Sequence, residues 1–167
     1  MPNPTNIEDR LVIVADQMAA LIGADSYFAA AGAAPAVPVL TERKGDINSM
    51  VTAALSKLGL CVVIVAADAG ELTTKGTTLV MRVRLVAQIS ENYLFNNSAT
   101  GLKKPALAAT VRAMKAVHRK PNGLDAAGAR HVDGINEFAL PDDQPFRLVP
   151  DKTFITYHVT AYTTVEL

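Results

Sequence analysis

A chain of 167 residues, half of them apolar and 19% charged, carries enough material for one buried core and is too hydrophobic to be disordered. Sixteen basic side chains balance sixteen acidic ones, which argues against a dedicated nucleic-acid binder, whose affinity usually rests on a basic excess. The single cysteine cannot close an internal disulfide, and no apolar run reaches the roughly 20 residues that span a bilayer.

Met1-Pro2-Asn3-Pro4 lacks a basic stretch followed by an apolar core, so the expectation is a soluble intracellular protein without a signal peptide. Thr5-Asn6-Ile7-Glu8 then reads as a capping box. It opens a helix whose apolar face is Ile7, Leu11, Val14, Met18, Leu21 and Ile22, with Gly23 as its stop. Residues 24–45 read as a connection rich in alanine, glycine and proline, with one short strand around Val37 to Thr41. Asp46 is a good N-cap for a second helix lined by Ile47, Met50, Val51, Ala54, Leu55 and Leu58 and ended by Gly59.

The run Cys61 to Ala67 is apolar on both faces, as a central strand would be, and places Cys61 as a buried structural thiol. Asp68 to Thr78 reads as a long projecting loop joining it to the next strand. From Leu79 to Ser90 the residues alternate, with Met81, Val83, Leu85, Ala87 and Ile89 on one face and Arg82, Arg84, Gln88 and Ser90 on the other. The run from Glu91 to Asn97 breaks the alternation, and Thr100-Gly101 marks a turn. Pro105 is tolerated in the first turn of a third helix, on which Leu107, Val111, Met114 and His118 recur at helical spacing. His131 to Leu140 is a weak strand candidate, and Phe146-Arg147-Leu148 is a short extended piece between prolines. A strong final strand sets Ile155, Tyr157, Val159, Ala161 and Val165 against Phe154, Thr156, His158, Thr160 and Tyr162. The order predicts one α+β domain over residues 1–167, a mostly antiparallel sheet of about four strands covered on one side by about three helices.

Catalytic signatures are missing. There is no P-loop string and no Gly-x-Ser-x-Gly, and Gly101-Leu102-Lys103-Lys104 before a helix is only a distant imitation of an anion loop. His118, His131 and His158 have no metal-ligand spacing. Asp142-Asp143 between prolines reads as a solvated loop. The expectation is therefore no enzyme, no catalytic residue, no metal and no cofactor. An acid and three asparagines at a strand end instead read as a surface that fixes backbone conformation or meets a partner. Candidate contact residues are Glu91, Asn92, Asn96, Asn97, Gly101 and Lys103 at this corner, with Glu71 and Lys75 in the projecting loop.

Three pieces resemble the tail terminator (tail completion, neck) proteins of tailed bacteriophages. Gly45-Asp46-Ile47 opens a helix ending in Leu58-Gly59-Leu60 that runs straight into Cys61-Val62-Val63-Ile64-Val65. A long strand ends in Glu91-Asn92-Tyr93-Leu94-Phe95-Asn96-Asn97, then Gly101, then Ala106 within a helix. The chain closes on a long Thr/Tyr/Val strand. The likeness covers about residues 40 to 167. It departs at Asn97, where such proteins often have arginine, and at Leu102-Lys103, which replaces part of a Thr-Gly stretch.

The resemblance implies a structural virion protein of the tail or neck, assembled in the host cytoplasm. Its subunits would form a ring of six copies that ends tail-tube growth. The ring's partners would be the tail tube protein and the head–tail connector protein, with DNA passing through the lumen without specific binding. Two rivals stand beside this reading: another phage head-completion or tube component sharing the small fold, and a small ligand-binding domain or enzyme with a dispersed site.

Overall fold

The computed structural model describes residues 7–42, 45–124 and 137–166. Its strands are β1 (Val39–Thr41), β2 (Leu60–Lys75), β3 (Thr78–Glu91), β4 (Phe146–Val149) and β5 (Ile155–Glu166). They form one sheet in the order β1-β2-β3-β5-β4, in which only the β1–β2 pair is parallel. Four helices complete the described chain: α1 (Ile7–Ala24), α2 (Ile47–Lys57), the single turn α3 (Tyr93–Asn96) and α4 (Ala106–Val117). The class is α+β, with one more strand and one more short helix than the sequence suggests.

The alternation in β3 sets the layers. Met81, Val83, Leu85, Ala87 and Ile89 are all buried, beside Leu60, Val62 and Ile64 of β2 and Val159, Ala161 and Val165 of β5. Val14, Met18 and Ile22 of α1 and Ala106, Ala109, Ala113 and Val117 of α4 close over this face. Each fully buried large side chain contributes about 1.5–3 kcal/mol, so this one layer supplies most of the apolar driving force.

The helix faces differ from expectation in two places. On α4 the large residues Leu107 and Val111 are 49% and 37% exposed, while the buried stripe is Ala106, Ala109, Thr110, Ala113 and Val117. The two stripes are offset by one residue, about 100° around the helix, and the small one is buried because alanines let α4 approach the sheet closely. The helices also do not all share one side. Ala54 and Leu55 of α2 pack on Cys61, whose side chain points opposite to those of Leu60 and Val62. α2 thus crosses from β1 to β2 behind the sheet, covering one end of its second face.

The expected loop over Asp68 to Thr78 is strand. β2 and β3 run as a continuous antiparallel ribbon from Leu60↔Glu91 to Lys75↔Thr78, with register shifts at Ala66/Asp68 and Ala69/Leu72. Only Gly76 and Thr77 turn the chain, Gly76 taking the positive φ of 63° that a two-residue hairpin turn accommodates. Threonines, which favour pleated backbone, carry the ribbon on to its tip.

Smaller differences have local causes. α1 runs one residue past Gly23, and Asp25 closes it by accepting the Tyr27 N–H at 2.8 Å. Thr5 of the expected capping box lies outside the described residues, as do residues 131–136 of the weak strand candidate. The remainder of that segment makes two isolated bridges, Pro121↔Glu137 and Ala139↔Tyr162.

Candidate interaction surface at the 91–106 corner

Where β3 ends, the chain turns through α3 and enters α4. Pro105, the N-cap of α4, offers no side-chain cap. Glu91 supplies one from the strand end: its Oε2 accepts the N–H of Ala106 at 2.7 Å. A carboxylate there satisfies a donor that the helix cannot and faces the positive end of the helix dipole. Its Oε1 accepts the Asn96 side-chain amide at 2.5 Å. Asn96 in turn donates to the Lys104 carbonyl at 3.0 Å and accepts the Lys104 N–H at 3.3 Å. Glu91 and Asn96 are both buried, and their polar atoms are paired.

Further contacts tie this knot to α1's exit and α2's end. The Tyr27 hydroxyl donates to the Pro105 carbonyl at 3.1 Å, and the Lys104 ammonium donates to the Tyr27 carbonyl while lying 5.2 Å from its ring. Burial, then the Glu91 charge, pushes the Tyr27 phenol up to about 12, so it remains a donor at physiological pH. The Asn92 N–H meets the Gly59 carbonyl at 2.8 Å, and the Leu102 N–H meets the Leu58 carbonyl at 3.1 Å. Two glycines permit this approach. A Cβ on Gly59, which has φ +81°, would sit 2.1 Å from the Asn96 nitrogen. One on Gly101 would sit 2.0 Å from the Phe95 carbonyl oxygen.

The candidate residues therefore divide by direction. Glu91 and Asn96 face inward and Gly101 admits no side chain, so these three build the corner. Asn92 caps α3, its Oδ1 accepting the Phe95 N–H at 3.5 Å. Asn97 and Lys103 are exposed, with Asn97 donating to the Tyr93 carbonyl at 2.9 Å and Lys103 holding a positive φ of 55°. Between Asn92 and Asn96 stand three consecutive large apolar residues that sequence reasoning did not single out: Tyr93 is 62% exposed, Leu94 81% and Phe95 45%. Their signal in the sequence was an apolar triplet inside an otherwise polar turn.

Glu71 and Lys75 are not brought to this corner. Both lie on the ribbon arm of β2, Glu71 exposed and Lys75 directly before the turn. β1 pairs with β2 only over Val62 to Ile64, so the ribbon arm runs on past the reach of β1. Leu72 and Leu79, 60% and 45% exposed, add apolar surface there.

No group of side chains among the described residues has the makings of a metal site. Cys61 is fully buried, and burial pushes its thiol up to about 12, which leaves it unreactive. No helix among the described residues is long and apolar enough to cross a membrane. No family model and no curated protein matches the chain.

Proposed function

We propose that this protein is a phage tail terminator, a structural subunit that stacks as a ring of six on the last layer of the tail tube and offers its other face to the head–tail connector. The observation that carries the reading is the exposed Tyr93-Leu94-Phe95 triplet on a corner held rigid by paired buried polar groups. Large apolar and aromatic side chains on a preorganised support are what a protein interface uses as anchors. A ring contact is heterologous, so each subunit needs a second, unlike surface. The ribbon beyond β1, with Leu72, Leu79 and Glu71 exposed, suits that role.

The likeness over residues 40 to 167 supports the same reading, and zero net charge suits a subunit that lets DNA pass without holding it. The test is a phage lacking this gene. It is expected to make full heads and unjoined tails whose tubes vary in length, and a copy carrying Leu94→Asp should fail to rescue it. Tails of normal, uniform length in the deletion would refute the proposal.

A further inference from the structure

α2 covers only one end of the sheet's second face; the rest forms an open cleft of about 440 Å³, overhung by the Pro141–Gln144 turn. Strand register decides what lines it. Arg147 of β4 lies directly across from His158 of β5, and His158 directly across from Gln88 of β3. One step along the sheet, Val86 faces Thr160, and the next step brings Arg84 beside Tyr162. Residues opposed in this way project from the same face, so a guanidinium and an imidazole stand side by side, with a second guanidinium a short way along the same strands.

Like charges placed directly opposite one another oppose folding rather than aid it. The Arg147 side chain is exposed and makes no hydrogen bond or ion pair with the described residues, while Arg84 is already engaged within the chain. Gln88, Gln144 and Thr160 add neutral donors. Asp143 at the rim is the only carboxylate among the described lining residues, and Glu71 shares the adjoining hollow with Arg82 and Arg84. Arg82 itself is turned aside onto the Tyr162 ring, 4.1 Å from its centre. The lining thus has more donors than acceptors, and its volume falls within the range of small-ligand sites.

We infer that this cleft is an oxyanion site taking a phosphate group, with Arg147 and His158 as its principal ligands and Gln88 and Thr160 completing the hydrogen bonds. Guanidinium pairs with phosphate through two parallel N–H bonds, and a protonated imidazole beside it adds a third charged donor. The imidazole is held below its ordinary pKa of 6.5, first by burial and then by Arg147. A bound dianion opposes both effects and draws a proton onto the ring. The site is independent of the ring proposal, since it uses neither the 91–106 corner nor the ribbon tip.

NMR of the His158 ring in the full chain tests it, with sulfate as the first probe because sulfate does not titrate in the range where imidazole does. Saturable sulfate binding is expected to raise the His158 pKa and to tighten as pH falls below 6.5. Arg147→Ala should weaken it about tenfold or more, His158→Gln, followed by the backbone amide resonances of β4 and β5, should remove its pH dependence, and Lys57→Ala, on α2, should leave it unchanged. A DNA duplex is the second probe. If it moves the same resonances with the same dependence on Arg147, the phosphate comes from a nucleic-acid backbone; if only sulfate and inorganic phosphate do so, it comes from a small ligand. Failure of sulfate to move His158, or equal losses from Arg147→Ala and Lys57→Ala, would overturn the inference.

Discussion

Glu91 caps a helix that begins 15 residues later, its carboxylate receiving the Ala106 N–H at 2.7 Å while its other oxygen holds Asn96. A strand end thereby starts α4, and the loop between them is pinned at both ends. Replacing Glu91 by alanine leaves the Ala106 N–H and the Asn96 amide without their buried acceptor. The expected cost is about 2–6 kcal/mol, from about 1–3 for each orphaned group. Denaturant unfolding reads it as a lower midpoint with unchanged slope; a change under about 0.5 kcal/mol, the scale of an ordinary surface substitution, would mean that water replaces the carboxylate.

The outward residues should behave in the opposite way. Leu94 is 81% exposed and buries little in the subunit. Leu94→Asp is therefore expected to change subunit stability by no more than about 0.5 kcal/mol while abolishing ring formation on tube ends. Thermal melting of the isolated chain and negative-stain imaging of assemblies separate the two effects. A variant that melts normally and still caps tubes would remove Leu94 from the interface.

Gly101→Ala tests the close packing between turn and α3. Its Cβ would meet two carbonyl oxygens, of Phe95 at 2.0 Å and Asn96 at 2.3 Å, so backbone must move. A loss of about 1–3 kcal/mol is expected, the scale of an overpacked or strained site. Gly45→Ala is the useful comparison: it has a positive φ of 65°, which Gly101 lacks, and meets nothing within 4 Å. The Gly101 variant should lose stability through contact and the Gly45 variant through φ alone, and crystal structures of the two would show backbone displacement only in the first.

His158 should make stability depend on pH. Its folded pKa lies below 6.5, so well above that value the ring is neutral in both states and contributes no slope. As pH falls below 6.5 the unfolded chain takes the proton first, and the folded state loses stability until its own lower pKa is passed. The melting temperature of the wild-type chain should thus drop more steeply between about pH 7 and pH 5 than that of His158→Gln. Parallel curves would show that His158 titrates alike in both states.

Much of this architecture was legible in the residues. The β3 alternation named its buried face, Asp46 marked the start of α2, and the apolar run from Cys61 marked a central strand. What stayed hidden depended on partners distant in sequence. Nothing near Glu91 says that its carboxylate turns inward, because Ala106 and Asn96 make that decision. Periodicity read on large residues picked the wrong face of α4, since alanines bury as completely as leucines but announce it less. The ribbon was mistaken for a loop because its residues are polar, although polar threonines extend as readily as apolar valines when both faces meet water.

The order β1-β2-β3-β5-β4 also bears on how the protein is made. β2 and β3 are neighbours in the chain and can zip from the Gly76-Thr77 turn, a local and rapid event. β5 must then lie against β3 over Val80 to Glu91, although the two strands are separated by α3, α4 and β4. During synthesis β3 therefore waits with a long apolar edge unpaired, the condition under which strands join the wrong chain. The chain is thus most exposed to joining the wrong partner before β5 arrives, and pairing of β5 with β3 is the step that ends that exposure.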